Sequence, residues 1–150
     1  MKRNILITGF DNKLTENVAR ELADCLSLYY LSIPDLTLYY ANRASKEVVL
    51  KEGGNKLYEK YVNIAVKDAV EFESMVAAAD FTDLKLTLIV FLGESFTTLQ
   101  KHGVKILKDV ANHSRYKYKY GYDVYVNADA VRKKDLTEVI LKEITSYYGG

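Results

Sequence analysis

The first 26 residues place a short apolar segment, a glycine and an amphipathic helical pattern in direct succession. Residues 4–8, Asn-Ile-Leu-Ile-Thr, are largely apolar, as in a strand buried on both faces. Gly9 follows, and further along Val18 and Leu22 recur at helical spacing. A strand buried on both faces needs helices on both sides of its sheet. This order therefore constrains the fold more than any other feature of the chain.

The remaining sequence repeats the same order of strands and helices. Pro34, the only proline, is expected to end the second strand, and residues 35–40 are compatible with helix or loop. Gly53 and Gly54 are expected to end a helix. The pattern predicts further strands at 28–33, 75–79, 86–92 and 123–127, and further helices at 45–50, 56–71, 96–102, 104–120 and 133–147. We therefore predict a three-layer α/β/α sandwich with a five-stranded parallel sheet, formed by residues 1–150 as a single domain.

Composition and charge exclude several classes of protein. With 49% hydrophobic and 27% charged residues, the chain is expected to be globular rather than disordered. Its net charge of +1 produces no field that attracts nucleic acid or an anionic membrane. No apolar run approaches the roughly 20 residues that cross a bilayer. We therefore expect neither a nucleic-acid partner nor a membrane partner.

The single cysteine, Cys25, excludes a disulfide within the chain and fits the reducing cytoplasm, where we expect the protein. Cys25 lies at helical spacing from Val18 and Leu22, which predicts a small buried side chain rather than a nucleophile. His102 and His113 have no metal-ligand spacing and are predicted to lie at the surface. Ser95 is predicted to cap a short helix.

The loop after the first strand has the position of a phosphate-binding loop but lacks its residues. That motif, G-x-x-x-x-G-K-[ST], wraps phosphates with bare backbone amides and reaches them with a lysine. Residues 9–17 read Gly-Phe-Asp-Asn-Lys-Leu-Thr-Glu-Asn, so only the first glycine is present.

Taken in order, the predicted elements resemble shikimate kinase, a small P-loop kinase of the nucleoside-monophosphate-kinase type. Gly9–Ala23 aligns without a gap with the first loop and helix of that family. Residues 115–123 resemble its R-x-x-Y-x-x-x-A-D segment, in which the arginine contacts the acidic substrate. The resemblance implies a P-loop NTPase-like fold and makes Arg115 the candidate substrate or small-anion ligand.

The same alignment implies that the catalytic residues of the family are mostly replaced. The inner loop glycines fall on Asn12 and Leu14, the lysine on Thr15, and the magnesium-binding hydroxyl on Glu16. Lys13 is the nearest lysine that could reach a phosphate. The nucleotide-binding positions that remain as a vestigial loop are Gly9, Asn12, Lys13, Thr15 and Glu16.

Other functional positions are replaced as well. The family's D-x-D motif falls on Ser32 and Pro34, a substrate-binding arginine on Tyr58, and a glycine-rich substrate loop on residues 79–81. The mobile lid is absent or reduced, because only residues 103–114 separate the short helix from the arginine segment.

Phosphoryl transfer depends almost entirely on positioning and on stabilising the charge of the transferred group. Loss of one preorganised charge partner commonly lowers the rate by about 10²–10³-fold. We therefore predict a catalytically degenerate shikimate kinase-like protein, a pseudokinase with a binding or regulatory role. It has no catalytic residue, no cofactor and no metal in this prediction.

Two alternatives stay open. The chain could be a divergent ATP-dependent small-molecule kinase that uses magnesium, Lys13 and Arg115 in altered roles. It could also be a sensor that holds a small acidic ligand at Arg115 without a nucleotide.

The expected partner is an unidentified protein or a second copy of the chain. Tyrosines at 29–30 and 39–40 are the kind of residue found at protein interfaces. The segment 115–125 interleaves cations with tyrosines, as in a platform for single-stranded nucleic acid. Helical pairs such as Tyr118 with Tyr122 favour packing on the body of the protein instead.

Overall fold

The computed structural model describes residues 4–69, 71, 74–79, 87–112 and 121–149. The strands are β1 (Asn4–Gly9), β2 (Tyr29–Ser32), β3 (Met75–Ala79), β4 (Thr87–Gly93) and β5 (Val124–Asn127). The α-helices are α1 (Asn12–Leu26), α2 (Ile33–Ala41), α3 (Lys46–Ala69), α4 (Phe96–Lys101), α5 (Lys108–Asn112) and α6 (Leu136–Gly149). Two 3-10 turns, Ala128–Ala130 and Lys133–Asp135, join β5 to α6.

The five strands form one parallel sheet in the order β2-β3-β1-β4-β5, which confirms the predicted architecture. The central strand β1 pairs on one side with β3 and on the other with β4; Ile5, for example, lies opposite Val76 and Leu88. Since every residue of β1, β3 and β4 is buried, these strands are the continuous apolar runs that the sequence indicated.

Two hydrophobic clusters cover the two faces of the sheet, because successive side chains of a strand point in opposite directions. On β1, Ile5 and Ile7 belong to the cluster that contains residues of α1 and α6. Leu6, between them, belongs to the cluster that contains residues of α2 and α3. The structure is therefore a three-layer α/β/α sandwich. None of the described helices is long and apolar enough to cross a membrane.

Proline and glycine residues mark the backbone changes after β2 and within α3. Pro34 follows β2 but lies in the first turn of α2, where its missing N–H needs no partner. Residues 35–40, compatible with either structure in the sequence, are helical. At Gly54 the backbone turns to φ 68°, which breaks α3 into two helical pieces as the paired glycines predicted.

The helix predicted over residues 104–120 is wrong in its first part. Residues 104–107 are not helical, and α5 begins only at Lys108. The rest of that prediction, residues 113–120, lies outside the described part of the chain.

Cys25 is exposed, so the prediction of a buried cysteine is wrong. The buried stripe of α1 contains Thr15, Ala19 and Leu22, and Cys25 lies on the flank of this stripe near the end of the helix. Helical spacing from Val18 and Leu22 did not show that the end of α1 is exposed.

Replacement of Gly9 by alanine is expected to destabilise the protein by about 1–3 kcal/mol. A Cβ atom at Gly9 would lie 2.7 Å from the carbonyl oxygen of Leu92, its partner on β4. That oxygen belongs to the sheet backbone and cannot move without disturbing the strand pairing. Urea denaturation of Gly9→Ala measures the loss.

The matched control for this variant is Gly149→Ala. Among the described atoms, a Cβ at Gly149 would meet none within 4 Å. The control should therefore change the free energy of unfolding by less than about 0.5 kcal/mol. Equal stability of the two variants would show that Gly9 is not held against Leu92.

Candidate functional site

The candidate site lies at the carboxyl ends of β1 and β4, which are neighbours in the sheet. The connection after β1 leads through α1 to β2 on one side, whereas the connection after β4 leads to β5 on the other. Adjacent parallel strands whose connections diverge leave a crevice between them, and ligands of open α/β sheets bind in such crevices. Asp11 follows β1 and Glu94 follows β4, so both carboxylates lie in this crevice.

Asp11 is the N-cap residue of α1. Its Oδ1 accepts a hydrogen bond of 3.2 Å from the backbone N–H of Leu14, and its Oδ2 lies 2.8 Å from Nδ1 of His102. Only 8% of the Asp11 side chain is exposed. The positive end of the α1 dipole, which attracts anions, is therefore already neutralised by a carboxylate of the chain itself.

Glu94 shares His102 with Asp11. Its Oε2 lies 3.2 Å from Nδ1 of His102, and only 4% of its side chain is exposed. Among the described residues, its other oxygen, Oε1, is buried without a hydrogen-bond partner. Burial, together with the neighbouring Asp11, raises the pKa of Glu94 to about 7.

The pKa values of the two carboxyl groups are shifted in opposite directions. Burial alone would raise the pKa of Asp11, but the hydrogen bonds from His102 and Leu14 outweigh it and hold this pKa below its ordinary value. Asp11 is therefore ionised at neutral pH, while Glu94 retains a proton over much of the physiological range. Two adjacent carboxyl groups commonly divide in this way, because they cannot both ionise freely.

A cavity of about 560 Å³ opens beside this group, and its lining contains three acidic residues and two lysines. Asp129 contributes a third carboxylate, whose Oδ2 accepts a 2.9 Å hydrogen bond from the N–H of Ser95. Although burial raises the pKa of Asp129, its hydrogen bonds with Ser95 hold it below the ordinary value. The other lining residues are Lys13, Leu14, Asn17, Thr98, Ala128, Val131, Lys133 and Leu136.

A second, more open depression of about 430 Å³ lies along α3. Its lining residues come from this one helix and are mostly polar and solvated. Because no side chains from different elements converge there, we do not regard it as a functional site.

The predicted nucleotide-binding residues do not form a phosphate-binding loop. Gly9 is the last residue of β1, and Asn12, Lys13, Thr15 and Glu16 all belong to the first turns of α1. Thr15 is buried, and its hydroxyl donates to the carbonyl oxygen of Asn12 at 3.0 Å. Lys13 is the only one of these five residues that lines the cavity, and it is the only one with a positively charged side chain.

Two of the residues aligned with magnesium-binding positions of shikimate kinase, Glu16 and Ser32, contact each other instead. The hydroxyl of Ser32 donates to Oε1 of Glu16 at 3.4 Å and accepts from the N–H of Asp35 at 3.2 Å, which caps α2. Tyr58 lies on α3 with the ammonium of Lys46 4.7 Å from its ring centroid. Arg115 and residues 80–81 lie outside the described residues, so the anion-binding role of Arg115 stays a prediction.

Sequence reasoning missed the residues that converge in the crevice. His102 was predicted at the surface, yet its half-exposed side chain contacts both Asp11 and Glu94. Ser95 caps α4 as predicted, by accepting from the N–H of Thr98 at 3.2 Å. A usable signal was present: polar residues directly after two apolar strands indicate the ligand-binding edge of a parallel sheet.

Replacement of Glu94 by glutamine is expected to stabilise the protein in metal-free buffer by about 1–2 kcal/mol at pH 8. The folded pKa of about 7 exceeds the ordinary 4.5, so wild-type stability falls as the pH rises between these values. Below pH 4.5 the two proteins should have similar stability, and above pH 7 their difference should be constant. Urea denaturation across this range measures it; a variant less stable than wild type at pH 8 would contradict the burial of an acidic group here.

The overall structure matches those of solved shikimate kinases at low sequence identity. The enzyme from Aquifex aeolicus superposes with a TM-score of 0.80 at 15% identity, covering 98% of this chain and 99% of that chain. The enzyme from Acinetobacter baumannii, solved in complex with shikimate, gives 0.77 at 15% identity, with 96% and 93% covered. The enzyme from Bacteroides thetaiotaomicron gives 0.71 at 14% identity, with 95% and 98% covered.

No protein-family model matches the sequence, and the search of curated proteins finds no match. The likeness to the solved structures shows the fold: the chain has a shikimate kinase-like fold, as the sequence resemblance implied.

Proposed function

We propose that this chain is a shikimate kinase-like protein without ordinary phosphoryl-transfer activity, which acts by binding another molecule. The observation that carries the proposal is the position of Asp11. In a P-loop protein, the N-terminus of the first helix receives phosphate. Here the carboxylate of Asp11 accepts from the amide of Leu14 at that helix terminus.

The charge of the cavity supports the same proposal. Asp11 and Asp129 have lowered pKa values and are both ionised at neutral pH. A phosphate oxygen about 4 Å from one such carboxylate would be repelled by roughly 4 kcal/mol at an effective dielectric constant of 20. Lys13 and Lys133 line the cavity, but within the described residues neither forms an ion pair with these acids. A phosphate placed at the N-terminus of α1 would therefore be repelled by the ionised Asp11.

The residues at the magnesium-binding positions do not fit magnesium-bound ATP either. Glu16 replaces a neutral hydroxyl, and its carboxylate is engaged by Ser32. Pro34 has no side-chain oxygen to offer. We therefore derive no phosphoryl-transfer step for this chain.

A binding role is supported by exposed aromatic side chains away from the crevice. Tyr29 at the start of β2 is 75% exposed, and Tyr39 on α2 is 76% exposed. Tyrosine is enriched at protein interfaces, where a ring and a hydroxyl supply apolar contact and a hydrogen bond together. A protein partner or a second copy of the chain is the proposed ligand of these side chains.

Titration with ATP is expected to give no binding tighter than about 1 mM, with or without magnesium, because the carboxylate of Asp11 occupies the helix N-terminus and repels phosphate there. Isothermal titration calorimetry measures this, and an intact shikimate kinase under the same conditions is the positive control. A coupled assay with ATP and shikimate should show no turnover above background. Micromolar ATP binding would contradict the proposal, and turnover of shikimate would refute it.

A further inference from the structure

Three metal-ligating side chains from three separate parts of the chain converge in the crevice. Asp11 follows β1, Glu94 follows β4, and His102 follows α4. One ligand atom from each lies within 4.8 Å of the other two. The side chains of both acids are more than nine-tenths buried, whereas half of the His102 side chain is exposed.

A second feature also points to a ligand at this group. Oε1 of Glu94 is buried and has no hydrogen-bond partner within residues 4–69, 71, 74–79, 87–112 and 121–149. A buried polar oxygen without a partner is costly in free energy, so such atoms are rare unless a water, an ion or a ligand contacts them. Glu94 also lines the cavity, through which a ligand can reach it.

We propose that Asp11, Glu94 and His102 form a binding site for a divalent transition-metal ion, with Zn²⁺ as the preferred ion. In a tetrahedral site with bonds of about 2.0–2.1 Å, neighbouring ligand atoms are separated by about 3.3 Å. Nδ1 of His102 lies 2.8 Å from Oδ2 of Asp11 and 3.2 Å from Oε2 of Glu94. Small side-chain movements therefore suffice to admit the ion.

The donor set favours zinc over magnesium and calcium. An imidazole nitrogen suits zinc and other late first-row metals, whereas magnesium and calcium prefer oxygen ligands alone. Three protein ligands leave a fourth position of a tetrahedral ion open toward the cavity. In this protein the open position would take water or a small anionic ligand, because the bound cation attracts anions.

The metal site and the loss of kinase activity are separate propositions. Zinc binding can succeed or fail whatever the ATP titration shows, because it also needs Glu94 and His102, which lie far outside the segment aligned with the nucleotide-binding motif. The two experiments therefore fail independently.

Calorimetric titration of Zn²⁺ into EDTA-treated, dialysed protein tests the site. The background carries Cys25→Ser, because an exposed thiol binds soft metals on its own. We expect one equivalent to bind with micromolar or tighter affinity and to raise the melting temperature. Magnesium and calcium at the same concentrations should do neither. Bound Co²⁺ should give visible absorption that one equivalent of Zn²⁺ removes.

His102→Gln and Glu94→Gln should each weaken zinc binding by at least about 100-fold, more than the loss of a residue that only orients a ligand. The matched control is Glu138→Gln, which removes an acid that is 71% exposed on α6. Circular dichroism of each metal-free variant checks that it folds. No zinc-dependent change in the parent protein, or binding that survives His102→Gln in a folded variant, would overturn the proposal.

Discussion

Phe91→Ala is expected to lower the free energy of unfolding by about 3–5 kcal/mol. Phe91 is 2% exposed on β4 and lies at the centre of an aromatic group. Its ring stacks on Tyr125 with centroids 5.9 Å apart, meets Phe10 edge to face at 5.6 Å, and contacts Tyr122 at 5.7 Å. Alanine would remove all three ring contacts and leave a cavity beneath the carboxyl edge of the sheet. Urea denaturation measures the loss.

The control for this variant is Tyr39→Ala, which removes an aromatic ring that is 76% exposed. Its effect should stay within about 0.5 kcal/mol, because little area is removed from water in the folded protein. A loss below about 1 kcal/mol for Phe91→Ala would show that the four rings do not pack together in solution.

The architecture was predictable because it depends on apolar residues alone. All five strands were predicted, and β1, β3 and β4 follow directly from apolar runs, since a strand buried on both faces needs apolar side chains on both. Two local predictions were wrong. Cys25 has core spacing but is exposed. Val104, Ile106 and Leu107 are apolar but lie outside any helix.

The candidate site was only partly predictable. Residues 9–17 alone showed that the loop lacks a P-loop motif. They did not show that the carboxylate of Asp11 occupies the N-terminus of α1. Asp11, Glu94 and His102 are separated by up to 91 residues, and only the strand order brings them together. Once β4 is known to lie beside β1, the polar residues after both strands must meet at one edge. Side-chain spacing within one segment carries no such information.

Gly9 illustrates why one matching motif residue is weak support for the function of that motif. In the sequence it is the one residue of the loop that matches a glycine of the phosphate-binding motif. In the structure a Cβ at this position would contact the carbonyl oxygen of Leu92, so strand pairing alone requires glycine. The requirement that keeps Gly9 therefore says nothing about a nucleotide.

Thr15→Lys, which restores lysine at the position aligned with the P-loop lysine, is expected to lower the free energy of unfolding by about 3–5 kcal/mol. Thr15 is 1% exposed in the buried stripe of α1, and an ammonium group there would be an uncompensated buried charge. The variant should also fail to bind ATP, because Asp11 still caps the helix. Urea denaturation and ATP calorimetry measure the two effects.

Thr15→Val separates the cost of the charge from the cost of the lost hydroxyl. Valine has a similar size and removes only the hydrogen bond to the Asn12 carbonyl, so its loss should be about 0.5–1.5 kcal/mol. Wild-type stability of Thr15→Lys together with micromolar ATP binding would contradict this expectation. The lysine would then reach the cavity without any change in α1. The start of α1 at Asn12 would then not be what prevents ATP binding. The expected instability instead means that α1, which begins at Asn12, buries in the core the position aligned with the P-loop lysine.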